Sequence, residues 1–393
     1  MPYGETWRRH RRLFHEGFRD SAMGEMLPVL SQKVEQFLSN IALEPADFRA
    51  HIRTFAAATI MGVTYGHDVA STNDYFVDLA EKAISSLVSL SSPSSAVVNL
   101  FPFLRHLPPW IPGLSYYRRV SDQSHQWIDD MVHKPYELVI DGIKSGTKNS
   151  SILAKLLARH EAKGGRDEEE LQSIKHICAG AYGAGADTMA SVLTSFFVAM
   201  MTHPQVQEKA REEIDRVVGR ERLPTYADRP NLPYIESILR EVLRRYPITP
   251  LGVFRRNVKA DMVDGFFIPE GTAVIGNTWA MTRDEDVYPE PESFVPERFM
   301  TKNGTCNDDD LSFIFGFGRR ICPGRHLALA SLWGAIASVL AVFDITKAKD
   351  ENGNDVIFNV VYSDAMVHFP VTLCQDRIKQ EGAETRTLFV VDV

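Results

Sequence analysis

One cysteine in this chain sits where chemistry is possible. Cys322 lies in the run Phe315-Gly316-Phe317-Gly318-Arg319-Arg320-Ile321-Cys322-Pro323-Gly324, with glycines at 316, 318 and 324 and two arginines just ahead of it. The stretch from Arg325 to Ala330 then opens an alanine-rich apolar run to about Phe343. The spacing predicts a tight glycine turn at the mouth of a helix. Backbone N–H groups and the helix dipole favour negative charge there, and the arginines add to this, so a thiolate is the expected state. A cysteine buried only for packing acts as a small hydrophobe and needs neither glycines nor arginines. A lone thiolate serves as a nucleophile or as a metal ligand. A nucleophile wants a histidine base and an orienting third group. Zinc wants several ligands at short spacing, and Cys178, Cys306, Cys322 and Cys374 are too scattered for that.

A thiolate on haem iron asks for one axial sulfur, N–H donors that tune it and cations for the propionates. The loop resembles the haem-binding loop of the cytochrome P-450 family of haem-thiolate monooxygenases. That pattern is FxxGxRxCxG, and Phe315, Gly318, Arg320, Cys322 and Gly324 all stand in place, with Gly316 inside the same turn. The resemblance implies that Cys322 is the axial ligand of haem b and that Arg320 meets a propionate.

Three further constellations precede the loop. Ala184-Gly185-Ala186-Asp187-Thr188 resembles the family's oxygen-activation motif, (A/G)Gx(D/E)T. Its small residues leave room beside a helix, and the Thr188 hydroxyl can bond the carbonyl four residues back, at Ala184. Read through the resemblance, Thr188 and Asp187 deliver protons during oxygen cleavage; read alone, they are an ordinary helix acid and a packing threonine. Trp7 and Arg11 are four apart and share a helix face. Alone they fit a solvated basic helix with a half-buried tryptophan. In the family such a WxxxR helix offers an indole N–H and a guanidinium to a propionate, both suited to a carboxylate. Glu241 and Arg244 share a face at i, i+3. As a surface pair they contribute well under ~1 kcal/mol. The resemblance implies instead a buried ExxR pair, joined by Arg298 of Val295-Pro296-Glu297-Arg298-Phe299, that locks the core around the cysteine loop.

These groups need elements to hold them. Helical periodicity spans residues 23–42, 48–66 and 73–89, then 115–145 and 150–162. Asp167-Glu168-Glu169-Glu170 suits a helix N-terminus, and that helix runs through an apolar stretch to Thr202, where His203-Pro204 ends it. The stretch 177–201 is long enough to span a bilayer, but Asp187 inside it favours a buried core helix. A charged helix covers 204–219, and another follows Pro230. Leu251 to Met281 looks like strands, with turns at Asp264-Gly265 and Glu270-Gly271. In the family this segment passes the substrate and then gives a cation to the second propionate. The candidate is Arg255 or Arg256, and spacing does not choose between them. Ile248, Thr249, Leu251 and Val253, with Ala184 and Gly185, line the implied substrate pocket. Residues 91–113 break the helical pattern with Ser and Pro, and the apolar run from Phe101 to Ile111 suits either a self-packed loop or a membrane interface. Tyr362 to His368 resembles a turn that returns to the pocket.

Composition is ordinary for a globular protein, 44% hydrophobic and 24% charged. The net charge of −8 argues against nucleic acid as a partner. Four irregularly spaced cysteines indicate no disulfide framework. No signal peptide opens the chain. Set against membrane-bound family members, the chain is expected to be incomplete at its N-terminus. It would lack the anchor helix and first strands, which leaves the sheet edges near 266–277 open.

The expected fold is mainly α with a small β region, P-450-like, as a single domain over 1–393 with haem b held between the Asp187–Thr188 helix and the Cys322 loop. The expected function is a haem-dependent monooxygenase. It puts one atom of dioxygen into a small apolar organic substrate and takes electrons from an NADPH-dependent reductase or other electron donor. The segments LREVLRRYP and PERF resemble fungal members that oxidise secondary metabolites or xenobiotics. The full-length type sits on the cytoplasmic face of the endoplasmic reticulum membrane; the chain as given reads as cytoplasmic or peripheral. Two rivals are a haem-thiolate enzyme that rearranges a peroxide without a reductase, and a truncated chain that binds haem without activity or not at all.

Overall fold

The computed structural model describes residues 1–70, 74–90, 103, 114–347, 349, 352, 354–355, 361–362, 367, 370–372 and 388–390. Phe101–Ile111 therefore lies outside the described residues except for Phe103, and the Tyr362–His368 turn is described only at 362 and 367. Cys374 also lies outside them.

Eleven α-helices of the described residues carry the architecture. They are α1 (Glu5–Phe18), α2 (Leu27–Leu43), α3 (Phe48–Tyr65), α4 (Tyr75–Leu90), α5 (Leu114–Lys144), α6 (Ile152–Ala162), α7 (Glu168–Thr202), α8 (Pro204–Val217), α9 (Pro233–Arg245), α10 (Thr278–Met281) and α11 (Arg325–Val342). Their ends follow local chemistry. The Asp74 carboxylate accepts from the Phe76 and Val77 N–H groups at the start of α4. The Ser151 hydroxyl caps α6 at Ala154, and Asp167 accepts from the Glu170 N–H at the start of α7. Each capping side chain satisfies donors that the first turn leaves without partners. Beyond α8, Gly219 takes a left-handed φ of 81° and donates back to the Ile214 carbonyl, a glycine C-terminal stop.

Backbone proximity divides the chain into two compact units, Met1–Val29 with Arg53–Asp187, and Leu30–Ile52 with Thr188–Val393. In the first, α4 packs on α5 and α1 on α6. Phe18, Tyr65 and Tyr182 are among its fully buried side chains, and the Tyr182 hydroxyl donates to the Phe76 carbonyl. In the second, α9 and α8 pack on α11 around buried Trp333, Phe196, Phe197, Phe299 and Phe343. Gln207 bridges the Met200 and Ile345 carbonyls there.

Helices α7 and α11 are long and apolar enough to cross a membrane, yet 72% and 67% of their apolar windows are buried in the protein. Burial of their apolar windows is what core helices of a protein interior show.

The β region is a set of two-stranded pairs: β1 (Arg255–Arg256) with β4 (Ala273–Val274), β2 (Asp261–Val263) with β3 (Phe266–Ile268), β5 (Asp344–Thr346) with β8 (Leu388–Val390), and β6 (Val361–Tyr362) with β7 (Pro370–Thr372). Pairs β1–β4, β2–β3 and β6–β7 are antiparallel, and β5–β8 is parallel. Asp264 and Gly265 join β2 to β3 with φ of 48° and 83°, the left-handed values a two-residue hairpin turn requires. Phe266 and Phe267 project from β3 75% and 66% exposed. The expected strand run to Met281 ends sooner: 278–281 is a helical turn, because the Asn277 side chain accepts from the Ala280 N–H and caps it.

Candidate functional site

The cysteine loop is built from two short 3-10 turns, Ser312–Phe315 and Gly318–Arg320. Gly316 and Gly318 take φ of 89° and 55°, a backbone that side chains with a Cβ adopt only under strain. The loop closes where the Cys322 N–H donates to the Phe315 carbonyl at 2.7 Å. This brings Phe315 next to Cys322 and leaves the cysteine half-buried. Three residues later α11 begins, with the Ala328 N–H bonded to the Gly324 carbonyl. The sequence-predicted arrangement, a glycine turn at a helix mouth, is present.

Arg255 and Arg256 diverge, as adjacent strand residues must. The Arg255 guanidinium reaches the Arg320 carbonyl at 3.4 Å. Its pKa is lowered by burial and then by the charge of Arg320. Arg256 turns the other way and lies over Gly271, where an added Cβ would meet its Nη2 at 3.2 Å. The Arg255 guanidinium thus lies against the backbone of the cysteine loop, near enough to Arg320 to feel its charge. Sequence reasoning missed a further support: the Phe317 ring lies on the Gly276 backbone, so close that a Cβ there would be 2.5 Å from it. A glycine in a strand-like run was its only signal.

The structure unites Glu241, Arg244 and Arg298. Arg244 donates from Nε to Glu241 Oε2 at 2.7 Å and from Nη2 to Oε1 at 2.8 Å, and both side chains are 0% exposed. Arg298 Nε joins Glu241 at 3.2 Å, and the Val295 N–H adds a fourth donor. The rest of the Arg244 fork goes to the carbonyls of Thr282, Pro291 and Ser293. All five N–H groups of Arg244 and both oxygens of Glu241 are hydrogen-bonded, as a buried pair requires. Glu213, which sequence reasoning did not single out, supports the same helix by accepting from the Tyr234 and Ile235 N–H groups at the start of α9.

Asp187 and Thr188 are adjacent, half-buried residues of α7, which runs unbroken across them. Burial raises the Asp187 pKa, the Arg53 charge opposes this and Glu81 adds to it. Ala184 is exposed, whereas the space beside Gly185 is taken by Ile60, whose Cδ1 would lie 2.6 Å from an added Cβ. Gly185 thus serves the packing of α3 on α7. Leu251 and Val253 are 48% and 56% exposed, and Ile248 and Thr249 are half-buried beside them. Trp7 and Arg11 are half-buried on α1, with the Trp7 ring 4.8 Å from that of Tyr3.

A thiol loop at a helix mouth with an arginine against it is the arrangement a haem-thiolate oxidoreductase would need, and comparison with known proteins shows that class. The family model for cytochrome P450 matches residues 1–363. Cytochrome P450 monooxygenase ple1 of Rhodocybe pseudopiperita is 37% identical over 389 residues, covering 98% of this chain and 74% of that relative. Cytochrome P450 monooxygenase 176 of Postia placenta matches with the same identity and coverage. Cytochrome P450 monooxygenase COX2 of Coprinopsis cinerea is 37% identical across 91% of this chain and 68% of its own length. The chain belongs to the cytochrome P450 family of haem-thiolate monooxygenases, and these relatives are fungal.

Proposed function

We propose that this chain binds haem b through Cys322 and oxidises a small apolar organic substrate, with electrons drawn from NADPH by a separate reductase. The observation that carries the reading is the Arg255 guanidinium set against the Cys322 loop at the Arg320 carbonyl. Two like charges near one another at the loop suit a bound carboxylate, and the haem propionates are such groups. Trp7 and Arg11 bring the same donor chemistry from α1. Phe315, Gly316 and Gly324 shape the turn that presents the sulfur.

Haem, when bound, supplies the activation and reduction of dioxygen. Cys322 would hold the haem iron through its sulfur as a thiolate. Thr188 orients water with its hydroxyl, and Asp187 exchanges protons with solvent. Burial, by raising its pKa, holds a proton on the carboxyl nearer to neutral pH. Ile248, Leu251 and Val253, with Thr249 among them, offer a mostly apolar face to an apolar substrate just ahead of β1. Glu241, Arg244 and Arg298 hold the segment 282–298, on which the loop region builds. The membrane-facing location expected of the full-length type remains part of this proposal.

The test is isotopic. With a fungal reductase, NADPH and a panel of apolar terpenoid and aromatic substrates under ¹⁸O₂, product is expected to carry one labelled oxygen atom. Turnover of a hydroperoxide without reductase, and none with NADPH, would replace this reading by peroxide rearrangement.

A further inference from the structure

Helix α1 is held from behind by ion pairs. Arg9 Nη1 meets Glu169 Oε2 of α7 at 2.7 Å. Two turns further along α1, Glu16 pairs with Arg159 of α6. The same Arg159 reaches Glu170 Oε1 at 2.8 Å. Glu170 also accepts from Lys163 at 3.2 Å, and from the Nδ1–H of His160, which is 2% exposed, at 3.1 Å. Apolar and ring contacts run beside these pairs: His10 on His176, Phe14 close to Gly180, and Gly17 tight against Ile152.

The helix period turns this into an orientation. Arg9 and Glu16 are seven residues apart and share a face, and Trp7 and Arg11 lie roughly half a turn of azimuth away from it. Two anchors on one face, separated by about 10 Å of helix rise, fix both the position of α1 and its rotation about its own axis. A rotation by one residue, about 100°, would carry Trp7 and Arg11 off target.

We propose that Arg9–Glu169 and Glu16–Arg159–Glu170 form a clamp that sets the rotation of α1, and that Arg9 and Glu16 are thereby positioning residues for haem retention. This rests on the assignment of Trp7 and Arg11 as propionate donors. The clamp is wet. A cleft of about 600 Å³ opens beside it, lined by Arg9, Arg12, Lys163, Arg166, Glu5 and Glu170 among others, so dissolved ions reach the pairs and screen them.

The experiment measures haem loss from the reconstituted chain to excess apomyoglobin. Arg9→Gln/Glu16→Gln removes both anchors on α1 and leaves the Arg159–Glu170–His160 cluster intact. Haem loss is expected to quicken by roughly threefold to tenfold. The wild-type rate is expected to rise with salt and the variant's rate to be nearly insensitive to it. In a Trp7→Phe/Arg11→Leu background the clamp substitutions are expected to add nothing, whereas general loosening would add the same factor in either background. An unchanged rate in the clamp variant, or an equal effect in the Trp7/Arg11 background, overturns the clamp and leaves the proposed function standing. A wild-type chain that takes up no haem overturns the proposed function, and the clamp with it. The single Glu16→Gln variant keeps the test open if the double variant does not fold.

Discussion

Glu241 and Arg244 form a two-point ion pair, 2.7 and 2.8 Å, that solvent does not reach. Arg298 and the Val295 N–H complete the coordination of the carboxylate. The arginine in turn gathers three carbonyls from 282–293. One i, i+3 pair on α9 thereby organises the irregular chain between the β region and the cysteine loop.

Removing Glu241 strands a buried guanidinium. Glu241→Ala is expected to destabilise the folded chain by about 3–5 kcal/mol, read from urea unfolding. A change below ~1 kcal/mol would mean that the pair behaves like one on the surface.

Gly185→Ala forces a methyl into Ile60. The cost is expected to be about 1–3 kcal/mol. Ile60→Ala alone leaves a cavity and costs about 2–5 kcal/mol. In the double variant the new methyl fills part of that space, so the combined loss is expected to fall short of the sum. Strict additivity in a thermal-melt cycle would show that the two residues do not share the contact.

Asp187 has a folded-state pKa above its ordinary value of 3.8. A carboxyl of this kind favours folding fully below pH 3.8, and that contribution is lost as pH rises through the folded-state pKa. Asp187→Asn is therefore expected to be more stable than wild type at pH 7, with the gain shrinking toward zero as pH falls through the carboxylate range. An asparagine variant less stable at pH 7 would contradict the burial argument.

Arg255 and Arg256 are neighbours with different destinations. Arg255→Ala is expected to weaken haem binding about tenfold, the loss of one charge-assisted contact, and Arg256→Ala by no more than about twofold. Equal effects, measured by haem titration of the apoprotein, would remove the basis for assigning Arg255.

Much of this was legible in the sequence because the signals were local. Long periodic runs located α2, α3, α5, α7 and α9 to within a few residues. The glycines around Cys322 announced a turn whose left-handed backbone the structure contains, and Asp264-Gly265 did the same for the β2–β3 hairpin. What stayed hidden depends on contacts between distant segments. Strand parity separates Arg255 from Arg256, but which face meets the cysteine loop is set by tertiary packing. The small residue at 185 reads as room for a ligand until Ile60 of α3 is seen against it. Glu213 caps α9 from 20 residues upstream of Pro233, and the ion pairs behind α1 join residues about 150 positions apart.

The most direct test of the central claim is the absorption spectrum of the purified chain, reduced with dithionite and exposed to carbon monoxide. A strongly red-shifted Soret band that Cys322→Ala abolishes is the expected result, because thiolate ligation through that one sulfur produces it. An absent haem band, or a band of the less-shifted kind that survives Cys322→Ala, would contradict the assignment of Cys322 as the axial ligand.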